Sequence, residues 1–312
     1  MGKKKGKKKG FLWDLKKNWL LWLFLTPTIA FFFINNYLPM VGIYMAFTDF
    51  NFKKGILGSD FVGLKNFEFL LIGNVLGRLT INTVLYNVAF IVIGNIAQLA
   101  IAIVISQVSG KIFKKINQTL ILMPHFVSFV VLNVIAYNLF NYDSGLINNI
   151  VANVFGGEKI SFYTEAGWWP VILVFFNIWK GLGYGSVTYL ATITGISQEY
   201  YEAAKVDGAT VLQQIRYITL PAVKPTFIIL LVYAMGKIVR GQFELFYQLV
   251  GNNGLLYSTT DILDTYIYRA TMSSVDYGIG TALGLYQSVL GFAIVMLVNF
   301  IIKKKEPEYA LF

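Results

Sequence analysis

The sequence predicts an all-α integral membrane protein with six transmembrane helices, on three observations. Only 13% of its 312 residues are charged, where a soluble domain carries roughly 25%, while 56% are hydrophobic and the mean hydropathy is +0.60. The apolar residues gather into six runs, each longer than the ~20 residues that a helix needs to cross a bilayer. Finally, the basic residues near the ends of those runs fall unequally on the two sides.

In chain order, residues 1–17 form a basic tail with eight lysines and one acid, Asp14. The first span is expected over 19–47, with proline kinks at Pro27 and Pro39 rather than ends, since neighbours in a membrane can resatisfy the freed backbone. In the segment 48–81, Gly63-Leu64-Lys65-Asn66-Phe67 opens a short amphipathic helix. The second and third spans are expected over 82–108 and 113–140, the third kinked at Pro124. Segment 141–166 carries a helix from Leu146 to Phe155, closed by Gly156-Gly157. The fourth span is expected over 167–193, the fifth over 223–250 and the sixth over 277–302, with a polar, tyrosine-rich stretch at 251–276. Residues 18–303 thus make one helical bundle, and 304–312 a second tail. No loop is long enough for a soluble domain of its own. The absence of a visible internal repeat disfavours transporters built from inverted repeats.

Seventeen lysines and arginines flank the spans on the side of the N-terminal tail, Lys111, Arg216 and Lys303 among them; six, including Lys53, Arg78 and Arg269, lie on the other. Both termini and the loop 194–222 are therefore expected in the cytoplasm. Trp19 and Trp22 on the inner side, and Trp168 and Trp169 on the outer, fit interfacial belts. The N-terminal lysines abut a span, which points to anionic lipid headgroups rather than nucleic acid. No small-residue cleavage site follows, so this is not a cleaved signal peptide. There is no cysteine, a single histidine (His125) and no phosphate-binding loop of the G-x4-G-K-[S/T] type. Disulfides, thiolate chemistry, a multi-histidine metal site and ATP hydrolysis by that motif are all excluded. His125, beside Pro124, reads as a structural residue.

The loop 194–222 is the most informative segment. Gly195 ends the fourth span, and Ser197 can cap a helix to about residue 206, with Glu199 and Glu202 in its first turns. Asp207-Gly208 supplies a tight reversal. A second short helix runs from about 210 to 218, and Leu220-Pro221 is expected to stop it. Glu202-Ala203-Ala204, three residues, Gly208, nine residues, Ile218, one residue, Leu220-Pro221 resembles the loop E-A-A-x3-G-x9-I-x-L-P of permease subunits in binding-protein-dependent ABC importers. In that family this loop couples the membrane channel to an ATPase, so the resemblance implies coupling roles for Glu202, Ala203, Ala204, Asp207, Gly208, Ile218, Leu220 and Pro221. Nearly the whole chain, about 18 to 303, is similar to maltose-importer-like carbohydrate permeases. The supporting segments are Phe61–Phe67, Met123–Ser128, Thr260–Tyr266 and Tyr277–Phe292; the last resembles the branch serving oligosaccharides and polysaccharide fragments.

The resemblance implies the type I ABC importer permease fold and a bacterial cytoplasmic membrane location. It also implies a set of partners: a second homologous permease, two ATPase subunits that carry ATP and Mg, and a solute-binding lipoprotein delivering an oligosaccharide. The chain itself would bind no cofactor. Sugars are held by hydrogen bonds to hydroxyls and by aromatic faces. The spans offer Asn177, Trp179, Lys180 and Tyr184 in the fourth, Lys237, Arg240, Gln242, Phe243 and Glu244 in the fifth, and Tyr286 and Gln287 in the sixth. Lys237, Arg240 and Glu244 are spaced to share one helix face, either contacting substrate or holding an Arg240–Glu244 ion pair. Three bases against one acid in these spans would suit an anionic sugar. Rival readings are an ABC permease for amino acids or phosphate, and an ion-coupled transporter, which normally needs a carboxylate or histidine deep in a span. A membrane enzyme ranks last, because no nucleophile–base pair or metal cluster appears.

Overall fold

The structure, a computed structural model, describes Trp13, residues 16–305 and residues 307–309. Most of the basic tail expected over 1–17, and most of the tail expected over 304–312, lie outside the described residues. Among those described, five helices are long and apolar enough to cross a bilayer: Trp19–Phe47, Ile72–Gln107, Ala166–Thr194, Val211–Met235 and Tyr277–Lys304. A pair bent by 94°, Lys111–Phe126 and Phe129–Phe140, brings the number to six when counted as one span. The only strands among the described residues are the two-residue pair Thr48–Asp49 and Asp60–Phe61.

The first span is an α-helix over Trp19–Phe32, a π-turn over Phe33–Tyr37 and a 3-10 helix over Leu38–Phe47. Pro27 sits inside the α-helical part, and the change of winding accommodates Pro39, which has no N–H to give. Of these residues only Ala46 is buried. The rest present a continuous apolar surface that lipid, or another apolar protein face, must cover. Polar side chains within the spans turn back onto their own helices: Asn35 donates to the Phe31 carbonyl at 2.8 Å, Thr83 to Leu79 at 2.7 Å and Asn95 to Ile91 at 2.7 Å. Without bulk water, the carbonyl four residues back is the nearest acceptor.

The second and fourth spans pair lengthwise and carry the core. At one end Tyr86, Phe90, Leu132, Trp169, Phe176 and Phe246 pack together. At the other, Ala102, Ile105, Tyr189, Leu190, Ile193 and Val223 do so. A third cluster of Leu79, Ile238, Val239, Leu263 and Leu283 joins the sixth span. The third span reaches the fourth at Gly183, where a Cβ would overlap the Ile121 carbonyl, so two backbones meet with no side chain between them.

Four expectations are corrected. Pro124 kinks no continuous span: its helix ends at Phe126, two residues on, because the turn reverses there onto a new helix capped by Ser128, which accepts from the Val131 N–H at 3.3 Å. The fifth span does not run unbroken over 223–250. It begins at Val211, ends at Met235, and after an irregular segment gives a separate helix, Phe243–Val250. Leu220-Pro221 stops nothing: a π-turn over Ile215–Thr219 precedes it and Pro221 lies in the first turn of Leu220–Met235, where its missing N–H is tolerated. Trp169 is fully buried and donates to the Phe162 carbonyl at 2.7 Å, so it is core and not interfacial belt. The helices Lys65–Leu71 and Leu146–Asn153 lie where expected.

The Gly183 contact yields a prediction. Gly183→Ala should destabilise the protein by about 1–3 kcal/mol, the usual cost of overpacking. Gly94→Ala, also in a helix but with open space at the Cβ position, should be tolerated. Thermal unfolding of the detergent-solubilised protein compares them; equal midpoints would refute the close contact.

Candidate functional site

The fourth span runs into a helical hairpin whose turn chemistry is complete in itself. Ser197 accepts from the Glu199 N–H at 3.3 Å and opens the helix Gln198–Val206. That helix ends on Gly208 at φ +77°, with Gly208 N–H donating to the Lys205 carbonyl and Ala209 N–H to the Ala204 carbonyl at 2.8 Å, a Schellman arrangement. Thr210 and Gln213 then form a reciprocal capping box for Val211–Gln214. Tyr201 and Thr219 hydroxyls meet at 2.9 Å and Gln214 donates to the Ala209 carbonyl at 3.0 Å, closing the hairpin on its inner side.

Its outer side is left open. Val206 is 89% exposed and Leu212 74%, and Tyr200, Val211 and Tyr217 are exposed with them. Glu202, Ala203, Asp207 and Gly208 share this exposure, Ala204 and Ile218 are half-buried, and Leu220 and Pro221 lie exposed where the hairpin joins the fifth span. A cavity of about 380 Å³ separates the hairpin from the turn between the second and third spans, lined by Ser106, Lys114, Tyr201, Lys205 and Gln214 among others. Hairpin and turn therefore occupy one end of the bundle, the end that is rich in lysine.

A second cavity, of about 500 Å³, opens between the second, fourth and fifth spans. Of the residues singled out by sequence for the pathway, Asn177, Tyr184, Lys237, Arg240 and Gln242 line it. Its wall also holds Asn87, Asn95 and Gln98 from the second span, Thr188 from the fourth and Tyr233 from the fifth. Gly185 leaves the space that the Gln98 side chain fills. Lys237 donates to the Tyr233 hydroxyl at 2.9 Å and lies over its ring at 4.6 Å.

Trp179, Lys180, Phe243, Glu244, Tyr286 and Gln287 stand outside that wall. Trp179 packs against the first core cluster. Lys180 closes the bend of the third span: its Nζ donates to the His125 carbonyl at 2.8 Å and to the Val127 carbonyl, beneath the Phe129 ring. These carbonyls lost their helical partners at the bend, and a cation suits a helix C-terminus. His125 stacks on Tyr184 with ring centroids 4.7 Å apart. Phe243 stacks on Tyr247 at 5.2 Å, and Tyr286 meets the Thr80 hydroxyl at 3.0 Å.

The expected common helix face of Lys237, Arg240 and Glu244 does not exist, because the chain leaves the helix after Met235 and re-enters one at Phe243. Nor do Arg240 and Glu244 pair: among the described residues the ion pairs are Lys54–Asp60 and Arg269–Asp261. The break is held from outside. Asp264 accepts from the Gly241 N–H at 2.7 Å and from Gln287 at 3.1 Å, and Gln287 also donates to the Val239 carbonyl at 2.8 Å. Burial pushes the Asp264 carboxyl above its ordinary value, while these donors and nearby Arg240 pull it back.

The family profile described as binding-protein-dependent transport system inner membrane component matches residues 91–306. This chain belongs to that family. The permease is 36% identical over 305 residues to the polygalacturonan/rhamnogalacturonan transport system permease protein YteP of Bacillus subtilis (strain 168), covering 98% of this chain and 94% of that one. It is 35% identical over 302 residues to protein LplB of the same organism, covering 96% and 94%. The crystal structure of a bacterial alginate ABC transporter in complex with alginate pentasaccharide-bound periplasmic protein contains a chain that superposes with a TM-score of 0.84. It is 33% identical, covering 95% of this permease and 98% of that chain. The permease is therefore a multi-pass inner-membrane translocation subunit and not a catalytic one.

Asn87, Asn95 and Gln98 join the cavity wall without having been expected there, although the sequence carries a signal for them. At i, i+8 and i+11 they lie along one helix face of an otherwise apolar span. For Lys180 the structure predicts a cost of about 1–2 kcal/mol when Met replaces it, because two carbonyls at the bend lose a charged donor. Arg should restore part of it. Thermal unfolding of the three proteins is the measurement, and a wild-type midpoint for Lys180→Met would refute the role.

Proposed function

We infer that this permease carries oligosaccharides inward across the bacterial cytoplasmic membrane, as one subunit of an ATP-driven importer fed by an extracytoplasmic binding protein. The single observation behind the coupling is the hairpin 197–219. Its backbone is satisfied internally by caps at both helices, yet Val206, Leu212 and Tyr200 face outward at the lysine-rich end of the bundle. An apolar face so displayed at the end of a surface hairpin suits a protein partner. In the family that partner is an ATPase subunit, one of two that bind ATP and Mg, and the lysine-rich end is then cytoplasmic. The complex further includes a second homologous permease and a solute-binding lipoprotein. YteP and the alginate transporter, by their names, handle polysaccharides or their fragments, which supports a glycan cargo here. The cavity supports it too: its amide, hydroxyl and aromatic side chains are the groups that sugars use.

Coupling follows from chain connectivity. The fourth span enters the hairpin directly and the fifth leaves it, and both line the cavity. Closure of an ATPase dimer displaces the hairpins, and the spans that they join shift with them, changing the side from which the cavity opens. ATP and the loaded binding protein supply the differential affinity that such a switch requires. An ion-coupled transporter is disfavoured because the cavity wall includes no carboxylate and no histidine.

Gly208→Pro should abolish ATP-linked uptake while the protein still inserts, because proline cannot adopt φ +77° and removes the N–H bonded to Lys205. Glu202→Lys, exposed on the hairpin, should lower ATPase activity stimulated by the loaded binding protein by an order of magnitude or more, a loss of at least about 1.4 kcal/mol of coupling. Reconstituted transporter assayed for uptake and hydrolysis decides both. Full activity in both variants would remove the coupling role of the hairpin.

A further inference from the structure

We propose that the break in the fifth span is a carboxylate-reading subsite, so that the preferred cargo is an oligosaccharide carrying uronate residues. The inference rests on the oligosaccharide reading above and deepens it. Three features of the cavity carry it.

First, the charges of the wall are one-sided. Lys237 and Arg240 line it, and no aspartate or glutamate does. Lys237 has only the neutral Tyr233 hydroxyl and ring as partners, and no carboxylate lies within ion-pairing distance of the Arg240 guanidinium among the described residues. Cations at the depth of a span are costly unless a counter-charge or water answers them. Of the acids outside the wall, Asp264 accepts two N–H donors and lies in electrostatic range of Arg240, and Glu244 lies in electrostatic range of Lys180. Lys237 and Arg240 are both exposed to the cavity, where an anionic group of the cargo can take the place of the water that faces them.

Second, the geometry is fixed. The segment 236–242 has left the helix, and Asp264 and Gln287 grip it at Gly241 and Val239, on either side of Arg240. Gly241 is required for that grip. A Cβ there would overlap the Ile262 side chain and come within 2.7 Å of the Asp264 carboxylate. Asp264 and Gln287 act through the backbone and touch no cargo, which makes them positioning residues. The backbone is thus held on both sides of Arg240, and a guanidinium projecting from it can meet a planar carboxylate with two parallel bonds.

Third, the remainder of the wall suits the rest of a sugar chain. Asn177 and Gln242 present amides for hydroxyls, and Tyr184 and Tyr233 present rings, while Asn87, Asn95 and Gln98 give their N–H groups to backbone carbonyls. A neutral sugar can use these groups but brings no counter-charge to the two cations.

The test uses the complete transporter in lipid nanodiscs without ATP, with trigalacturonate and its carboxyl-reduced trigalactoside as probes, read by titration calorimetry. The charged probe should bind at least about tenfold more tightly than the neutral one, reflecting charge-assisted bonds, and added salt should narrow the gap. The double variant Lys237→Gln, Arg240→Gln should reduce the ratio to near unity. Asp264→Ala and Gln287→Ala should also lower the ratio, whereas merely damaged folding would weaken both probes alike. Equal affinities, failure of both probes to bind, or a preference that survives the double variant overturns the proposal. ATP-driven uptake of neutral and charged oligomers into proteoliposomes separates the two readings. Uptake without preference removes the subsite alone, and no ATP-dependent uptake of any oligomer removes the importer reading beneath it.

Discussion

Everything in this chain answers to the need to satisfy backbone N–H and C=O groups where there is no water to do it. Regular helices meet the need by themselves, which is why most of the spans need only apolar side chains. The informative places are those where a helix stops short. At residues 127–128 the third span turns by 94°, and the freed carbonyls of His125 and Val127 are taken by Lys180 from the fourth span. At 236–242 the fifth span unwinds, and Asp264 and Gln287 take the Gly241 N–H and the Val239 carbonyl. The first break is thus answered from the fourth span, and the second from the sixth span and the short helix Leu263–Tyr268 before it.

That arrangement explains how a mostly apolar bundle can hold a polar pathway. Ionisable groups in and beside the spans serve the backbone, as Lys180 and Asp264 do, or face the cavity, as Lys237 and Arg240 do. The pair Arg269–Asp261, at 2.8 Å, does neither: Arg269 also lies over the Tyr257 ring at 4.2 Å, and Asn82 donates to the Asp261 carbonyl at 3.0 Å. The last contact ties the segment before the sixth span onto the second span.

The hairpin obeys the same accounting at the surface. A Schellman end and a capping box leave none of its turn unsupported, so its outer apolar side chains are free for a partner. Because the fourth span feeds it and the fifth leaves it, the hairpin and two of the helices that line the cavity are continuous chain. The π-turn at Ile215–Thr219 lets the fifth span begin inside the hairpin despite Pro221. An expected stop is instead a rigid joint, and that suits transmission of a displacement.

Fold class, the approximate spans and the hairpin were legible in the sequence because each depends on local order: apolar runs of sufficient length, a serine cap, a glycine at a reversal and a motif with fixed spacing. Most of the cavity wall was not. Asn177, Tyr184, Lys237, Arg240 and Gln242 could be singled out as polar groups in apolar runs, but so could Lys180 and Gln287, and residue type alone does not separate a group that serves backbone from one that faces the cavity. The sequence by itself determined how many helices this protein can place in a membrane and which loop folds back as a capped hairpin, since hydropathy and turn chemistry act over a few residues. Only the tertiary structure decided where those helices break and what each intramembrane charge answers, because the partners of a freed backbone group lie 23, 48 or 55 residues away along the chain.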